Sequence, residues 1–274
     1  MQPKAPIGVF DSGIGGLTIM GEFLKHLPEY DYIYLGDNAR TPYGTRSFEV
    51  VYQYTLQSVK KLFDMGCPLV ILACNTASAK ALRTIQQNDL PKLAPNNRVL
   101  GVIRPTTEYA GEITKTKHVG VFATSGTVKS DSYKIEINKF HPEIEVYQEA
   151  CPLWVPLVEN NEHTTEGGQF FIKKHVDNLL AQCADIDAII LGCTHYPVLY
   201  DEIKKHLPQG VNLISQGEIV ANSLKDYLQR HPEMEVRLSK HSQREFYTTE
   251  DATNFDDKAN IFMDFSIRSK KLIL

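Results

Sequence analysis

Short apolar runs alternate with longer segments of helical periodicity along most of this chain. Eight runs are almost continuously apolar, which is typical of strands covered on both faces, and we predict strands at 7–10, 32–35, 69–73, 99–103, 119–123, 144–147, 188–191 and 211–214. Between these runs, apolar side chains recur at helical spacing, as at Leu17, Met20, Leu24 and Leu27. The alternation predicts an α/β protein with parallel sheets flanked by helices. Little structure is predicted for the charged, weakly periodic segment 250–274.

Two sequence patterns occur twice in the chain. VFDSGIGGLT begins at Val9 and VFATSGTVKS begins at Val121, while LVILACNTAS and AIILGCTHYP place Cys74 and Cys193 after apolar runs. Each half therefore contains the same two units. The first is a strand, a loop of small and polar residues, and a helix. The second is a strand, a cysteine, two polar residues, and a helix. This repeat favours two similar α/β domains that face one another, divided near Arg98, over a chance likeness between unrelated units.

The composition is typical of a folded protein. The 274 residues include 42% hydrophobic and 23% charged residues, enough for one large or two modest domains. A formal net charge of −4 gives no sign of a nucleic-acid partner. The apolar runs are far shorter than the roughly 18 residues of a transmembrane helix. MQPKAP does not resemble a signal peptide, and five cysteines fit no disulfide framework, so we expect a cytoplasmic protein without a membrane partner.

Cys74 and Cys193 occupy equivalent positions in the two halves, each between an apolar strand and a helix. In parallel sheets this position is at the carboxyl end of a strand, where open α/β folds bind ligands, and a helix amino terminus favours a thiolate. His195 can exchange a proton with the Cys193 thiol or with the molecule on which it acts. We therefore predict a pair of functional thiols. The other cysteines lack this setting and are predicted to be structural: Cys67, Cys151 and Cys183.

Two such thiols leave several chemistries open. A disulfide oxidoreductase more usually carries Cys-x-x-Cys, and a Cys–His–Asn hydrolase leaves the second cysteine without a role. Zinc would need a fourth ligand besides Cys74, Cys193 and His195, so a metal site is disfavoured. A further chemistry uses both thiols: one thiolate removes a proton from carbon while the opposite thiol delivers one to the other face, which inverts a stereocentre.

Two loops are candidates for binding a small anionic or zwitterionic ligand. Gly13, Gly15 and Gly16 allow backbone N–H groups to approach a ligand at the start of a helix. The loop matches neither a Walker motif nor G-x-G-x-x-G, and Asp11 would repel phosphate but can receive an ammonium group or act on a thiol. In the second half, the hydroxyls of the segment 124–127 can bind carboxylate or ammonium groups.

Five motifs resemble those of glutamate racemase, in the aspartate/glutamate racemase family: DSGIGGLT, PYG, CNTAS, CPLWVPLVE and CTHYP, over the range from about Ile7 to about Tyr227. The resemblance implies two α/β domains related by pseudo-twofold symmetry, with the active site in the interdomain cleft. The first domain would comprise 1–98 and 215–274, and the second 99–214. The implied activity is cofactor-independent and metal-free interconversion of L- and D-glutamate by a homodimer, which supplies D-glutamate for peptidoglycan.

The resemblance also implies roles for individual residues. Cys74 and Cys193 would be the two proton donors and acceptors, with Asp11 assisting the first, His195 the second, and Glu159 a nearby carboxylate. The implied substrate-binding positions are Asp11, Ser12, Tyr43, Gly44, Asn75, Thr76, Thr124, Thr127, Thr194 and His195. The chain departs from the family pattern at Arg104 and at Ser215–Gln216, where Asp-Ser is common; neither departure falls on the acid–base pair.

Without a cofactor, the developing enediolate must be stabilised by donors aimed at the substrate carboxylate, and Asn75, Thr76 and Thr194 have suitable side chains. Lys80, the lysine nearest the Cys74 motif, is predicted to be solvated rather than to anchor pyridoxal phosphate. Two alternatives remain open. One is a racemase for aspartate or another small amino acid, and the other is a non-catalytic amino-acid-binding protein.

Overall fold

The computed structural model describes residues 4–274 of the chain. Within this range the chain forms ten strands, which are β1 (Ile7–Asp11), β2 (Tyr32–Gly36), β3 (Leu69–Leu72), β4 (Arg98–Gly101), β5 (His118–Ala123), β6 (Glu145–Ala150), β7 (Ala188–Gly192), β8 (Asn212–Ile214), β9 (Arg244–Thr248) and β10 (Ser269–Lys271). All neighbouring strands are parallel. The predicted α/β class with parallel sheets is confirmed.

The strands form two sheets with a repeated topology. The first sheet has the order β10-β9-β2-β1-β3-β4, and the second has the order β6-β5-β7-β8. The inner order β2-β1-β3-β4 is therefore reproduced strand for strand by the second sheet. The two copies of each repeated sequence motif follow equivalent strands, so the repeat seen in the sequence is structural.

The strand register brings the ends of neighbouring strands to one edge. In the first sheet Phe10 pairs with Leu72, so the chain continues into Asp11 and Cys74 at the same edge. In the second sheet Ala123 pairs with Gly192, which places Thr124 beside Cys193. Because all strands are parallel, these positions share the carboxyl edge of their sheets, where α/β folds bind ligands.

Fifteen helical segments in the described range cover the sheets, and hydroxyl side chains at Ser47 and Thr165 cap two of the longest. They are α1 (Leu17–His26), α2 (Phe48–Asp64), α3 (Asn75–Lys80), α4 (Leu82–Thr84), α5 (Leu90–Leu93), α6 (Ile103–Glu108), α7 (Ala110–Ile113), α8 (Ser125–Lys129), α9 (Ser132–Phe140), α10 (Trp154–Glu159), α11 (Glu166–Leu180), α12 (Tyr200–Lys204), α13 (Gly217–Arg230), α14 (Pro232–Glu235) and α15 (Ala252–Ala259). Shorter 3₁₀ segments lie at Asn38–Arg40 and Tyr196–Leu199, and a π-helical turn lies at Ile85–Asp89.

Both faces of the central strands β1, β2 and β3 of the first sheet are buried, as their apolar sequences predicted. Side chains alternate between faces: Ile7 and Val9 contribute to one apolar cluster, and Phe10 to another. The first cluster lies beneath α1 and α13, which pack against each other. Two further clusters cover the second sheet. Burial on both faces explains why these strands lack polar alternation.

Three predictions about elements require correction. The run predicted as a strand at 99–103 ends at Gly101, and Ile103 already begins α6. The predicted division between 98 and 99 falls inside β4, which pairs with β3 and belongs to the first sheet. The segment 250–274, for which little structure was predicted, holds α15 and β10, and β9 just before it was not predicted. The outer strands expose charged side chains such as Arg244 and Glu245, so they lack the apolar run used to predict strands.

The carboxyl-terminal region returns to the first sheet. Strand β9 pairs with β2, and β10 pairs with β9. Among residues 4–274, none of the helices has the length and apolar character needed to span a membrane. The prediction about a signal peptide rests partly on residues 1–3. These residues lie outside the described range.

Candidate active site

Cys74 lies between β3 and α3 and is only 5% exposed. Its Sγ accepts the backbone N–H of Ala77 at 3.4 Å, which makes Cys74 the N-cap of α3. Its thiol donates to Oγ of Ser12 at 3.3 Å. Burial and the charge of Asp11 raise the pKa of Cys74 to about 11, although the bonds to Ser12 and Ala77 act against them. The thiolate expected from the helix terminus is therefore outweighed by burial, and the thiol is protonated at neutral pH.

Cys193 follows β7 in the equivalent position and is also buried. Burial raises its pKa above the ordinary range, against a hydrogen bond from the backbone of His195. Negative charge on Cys74 or Asp11 raises it further, and interactions of this kind require proximity. A thiolate on Cys74 therefore disfavours ionisation of Cys193, and burial favours the neutral form of both thiols.

Asp11, at the end of β1, is 1% exposed. Its Oδ2 accepts the N–H of Gly13 at 2.9 Å, while its Oδ1 is buried with no hydrogen-bond partner among residues 4–274. Burial raises the pKa of Asp11, although His195 and the N–H groups of Gly13 and Gly16 favour the charged form. An unpaired buried carboxylate oxygen is a position for a cationic or hydrogen-bond-donating group.

His195 is held by Glu159, because its Nε2 lies 2.9 Å from Oε1 of the carboxylate. Burial favours the neutral form of Glu159, but His195 and Lys258 outweigh it and lower the pKa of Glu159. The ionised carboxylate keeps a proton on Nε2, which leaves Nδ1 as an acceptor. A Cβ on Gly15 would collide with Nδ1, so the loop after β1 approaches this ring edge and needs glycine there.

Hydroxyl groups from both halves meet beside Cys74. Oγ1 of Thr76 lies 2.9 Å from Oγ1 of Thr124 and 3.4 Å from Oγ1 of Thr127. Thr124 also caps α8 by accepting the N–H of Thr127. The backbone N–H of Gly126 donates to the carbonyl of Gly44 at 2.8 Å. These contacts join the loops that follow β3 and β5 and the turn at 41–44.

Tyr43 and Thr194 are fixed by contacts outside the thiol pair. The hydroxyl of Tyr43 donates to Oδ2 of the buried Asp37, and burial together with this carboxylate raises the pKa of Tyr43. The carbonyl of Thr194 accepts from Oγ1 of Thr18 at 3.0 Å, so α1 contacts the loop that follows β7. Tyr43 therefore orders the turn at 41–44, and Thr18 attaches the second half to the first.

Asn75, Gln216 and Tyr133 form a closed ring of hydrogen bonds. Nδ2 of Asn75 donates to Oε1 of Gln216 at 2.8 Å, Nε2 of Gln216 donates to the hydroxyl of Tyr133 at 2.8 Å, and that hydroxyl donates to Oδ1 of Asn75 at 2.8 Å. Nε2 of Gln216 also donates to Oγ1 of Thr106 at 2.9 Å. The side chain of Asn75 is therefore engaged on both ends, and its contribution to the site is the backbone N–H at the start of α3.

A cleft of about 1550 Å³ reaches this region between α1, α13 and the loop after β7. Its lining includes Cys193, Thr194, Gln216 and Phe262, but not Cys74. The ring of Phe262 packs edge-on against His195, with the ring centroids 5.2 Å apart. This cleft therefore reaches the Cys193 side of the site.

The sequence was compared with models of known protein families and with known proteins. The sequence model of the Asp/Glu/Hydantoin racemase family matches residues 20–224. This chain belongs to that family. It is 40% identical over 267 residues to the glutamate racemase of Roseobacter denitrificans, covering 94% of this chain and 96% of that protein. Glutamate racemase isoform RacE1 of Bacillus anthracis superposes with a TM-score of 0.89 at 34% identity, covering 98% of each chain. Glutamate racemase of Francisella tularensis, in complex with D-glutamate, gives 0.85 at 34% identity, covering 99% of this chain and 97% of that one.

As a member of the racemase family, the chain is an isomerase, and its site has the groups that proton transfer requires. Asp11 lies near Cys74. His195 lies two residues after Cys193 in the chain and is held by Glu159. Burial favours the protonated form of both thiols, and a charge on Cys74 disfavours a second charge on Cys193. The geometry therefore suits transfer of a proton to one sulfur and from the other.

Several residues of this racemase site were not predicted from the sequence. Gln216 appeared only as a departure from the family pattern, and Tyr133 carried no signal because its role depends on the meeting of two elements. Phe262 lies in the segment to which little structure was assigned. Lys80 was predicted to be solvated, but it is 8% exposed, and its Nζ donates to the carbonyl of Arg46 at 2.6 Å.

Proposed function

We propose that this protein interconverts L- and D-glutamate by a two-base proton transfer between Cys74 and Cys193, without a cofactor. The observation that carries the proposal is the matching placement of the two buried thiols after β3 and β7, where each is close enough to influence the ionisation of the other. One thiolate removes the α-proton, and the opposite thiol delivers a proton to the other face of the carbon. The reverse reaction exchanges the two roles.

The groups beside each sulfur supply the proton partners. Asp11 assists Cys74, and the pair His195–Glu159 assists Cys193 through the free Nδ1. The unpaired Oδ1 of Asp11 is the position that receives the substrate ammonium group or the proton of the neighbouring thiol. Ser12, which accepts the Cys74 thiol proton in a hydrogen bond, keeps that sulfur oriented.

The α-hydrogen of an amino acid is weakly acidic, so the carboxylate must be stabilised as it becomes enediolate-like. The hydroxyls of Thr76, Thr124 and Thr127 and the backbone N–H groups at the start of α3 are suited to this role. Thr194 supplies a donor on the Cys193 side. The turn carrying Tyr43 and Gly44 contacts the loop that carries Thr124 and Thr127, because the N–H of Gly126 donates to the carbonyl of Gly44. Exclusion of water strengthens each of these interactions.

Glutamate is the proposed substrate for two reasons. The similar protein of Roseobacter denitrificans is a glutamate racemase, and the similar glutamate racemase of Francisella tularensis is in complex with D-glutamate. The alternative is aspartate. We further propose that the protein is a cytoplasmic homodimer that supplies D-glutamate for peptidoglycan, which rests on its resemblance to glutamate racemases.

The experiment follows the ellipticity of L-glutamate, and separately of L-aspartate, with purified full-length protein and no added cofactor. The preparation is first checked for the absorption of pyridoxal phosphate. In heavy water, the product D-glutamate should carry deuterium at the α-carbon. Turnover of aspartate in preference to glutamate would overturn the substrate assignment, and loss of activity after thorough dialysis against a chelator would overturn cofactor independence.

A further inference from the structure

A cluster of potential metal ligands lies at the edge of the second sheet opposite the candidate active site. His118 is the first residue of β5 and pairs with Glu145, the first residue of β6. Both therefore lie at the amino edge of this parallel sheet, whereas Cys193 follows β7 at the carboxyl edge. Cys183 and Asp185 lie in the turn between α11 and β7, which returns the chain to the same amino edge. The cluster is thus separate from the proton-transfer groups.

The ligand atoms in this cluster have the spacing that a metal ion needs. Nδ1 of His118 lies 3.6 Å from Sγ of Cys183. Zinc bonds of about 2.3 Å to sulfur and about 2.0 Å to nitrogen, at a tetrahedral angle, place these two atoms about 3.5 Å apart. One ligand atom from each of His118, Cys183 and Asp185 lies within 4.8 Å of the others. Small side-chain rotations would bring all three into contact with one ion.

A further carboxylate lies near the His118 ring, outside this group of three ligands. The carboxylate of Glu145 lies 3.9 Å from Nδ1 of His118. The hydroxyl of Tyr147 donates to this carboxylate at 2.7 Å and lies 3.3 Å from the same ring nitrogen. Imidazole nitrogen, thiolate sulfur and carboxylate oxygen are the donor types that zinc accepts in proteins.

The segments that carry the ligands are joined to each other. Oγ1 of Thr116 donates to the carbonyl of Asp185 at 2.7 Å and accepts the N–H of His118 at 3.3 Å. The carboxylate of Asp187 accepts the N–H groups of Lys115 and Thr116. Outer contacts of this kind hold ligands in place before the metal binds.

We propose that His118, Cys183 and Asp185 bind a zinc ion, with a water molecule in the fourth position. On binding, the Cys183 thiol releases its proton to solvent, and its sulfur and the neutral imidazole each donate a lone pair; zinc does not change oxidation state. The three protein ligands come from two segments, so the ion links the start of β5 to the α11–β7 turn. Its role is to stabilise the second sheet, and it takes no part in racemisation.

The test uses the full-length chain after removal of metals with a chelator, titrated with Co²⁺ as a spectroscopic substitute for zinc. We expect one Co²⁺ per chain and a thiolate-to-cobalt charge-transfer band in the near ultraviolet. Cys183→Ser should abolish this band. His118→Asn should weaken binding by about 100-fold or more, because loss of even an outer contact to a metal ligand costs up to about that factor. His141→Asn is the matched control, since His141 also lies near a glutamate, and it should bind Co²⁺ like the parent chain.

A second background separates this site from the active-site thiols. The Cys74→Ser, Cys193→Ser double variant should keep the band, and Zn²⁺ should raise its Tm. Adding His118→Asn to that background should abolish the rise in Tm. A band that survives Cys183→Ser, a band lost in the double variant, or the absence of any band at millimolar Co²⁺ would each overturn the proposal.

Discussion

The side chain of Asn75 donates to Oε1 of Gln216 at 2.8 Å, which ties the residue after Cys74 to the connection between β8 and α13. Tyr133 completes the ring from the second half of the molecule. Because Gln216 is 3% exposed, water cannot replace these bonds if one member is lost. The ring therefore fixes the start of α3, on which the position of the Cys74 sulfur depends.

Replacement of Gln216 by leucine should affect both turnover and stability. Asn75, Tyr133 and Thr106 would lose partners while buried, which costs about 1–3 kcal/mol of unfolding free energy. A small displacement of Cys74 should lower kcat by about 10- to 100-fold. The measurements are urea unfolding and steady-state racemisation. Gln53→Leu, at an exposed position of α2, is the control and should change neither quantity appreciably. Full activity in Gln216→Leu would show that the ring does not position the thiol.

Each of the two thiols should be required for racemisation. Cys74→Ser and Cys193→Ser should each lower kcat/KM by about 100- to 10,000-fold, the usual contribution of a positioned acid or base. Far-ultraviolet circular dichroism should show that both variants remain folded. Cys67→Ala removes a buried thiol that precedes β3, at the end of that strand opposite to Cys74, and should retain activity. If either serine variant kept most of its activity, transfer between two sulfurs would be the wrong mechanism.

Weakening the contact between Glu159 and His195 should slow the reaction without stopping it. Glu159→Gln removes the charge that keeps the proton on Nε2, so Nδ1 loses its role as acceptor in part of the population. We expect kcat to fall by about 10- to 100-fold, since only part of the acid–base contribution is lost. The kcat values measured from L-glutamate and from D-glutamate can fall by different factors. The two values of kcat/KM must fall by the same factor, because the enantiomers have equal free energy.

Steady-state rates from both enantiomers test this expectation. Glu162→Gln, on the exposed segment after α10, serves as the control and should behave like the parent chain. Equal rates for Glu159→Gln and the parent chain would remove Glu159 from the proton pathway.

Asp31 should make the stability of the first sheet sensitive to acid. Burial opposes its charge, but hydrogen bonds from Ser239, Gln243 and His241 outweigh this and lower the pKa of Asp31 from 3.8 to about 2. The stabilisation is therefore complete above about pH 4 and is lost as the pH falls towards 2. Asp31→Asn should lower the unfolding free energy by about 1–3 kcal/mol at pH 7, because the bonds to the charged oxygens are lost.

Urea unfolding at pH 7 and at pH 3 checks this expectation. The difference between Asp31→Asn and the parent chain should shrink at the lower pH. Asp257→Asn, at an exposed position of α15, should match the parent chain at both values. A difference that is the same at both pH values would mean that the charge of Asp31 does not support the segment leading to β9.

Much of the fold could be predicted from local patterns. The apolar runs of β1, β3, β5 and β7 identify buried parallel strands, because both faces must be covered. Strands β9 and β10 could not be found in this way, since their side chains are largely polar. The pKa of Cys74 was also beyond reach, because burial depends on segments far away in the chain.

What the sequence determined by itself is the parallel α/β class, the internal repeat, and the two cysteines with their neighbouring polar residues. These features follow from local periodicity and from residues adjacent in the chain. Only the tertiary structure decided that Glu159 holds His195, that Gln216 and Tyr133 hold Asn75, and that β9 pairs with β2. Such contacts join residues far apart in the chain, and their partners are selected by packing and burial rather than by local preference.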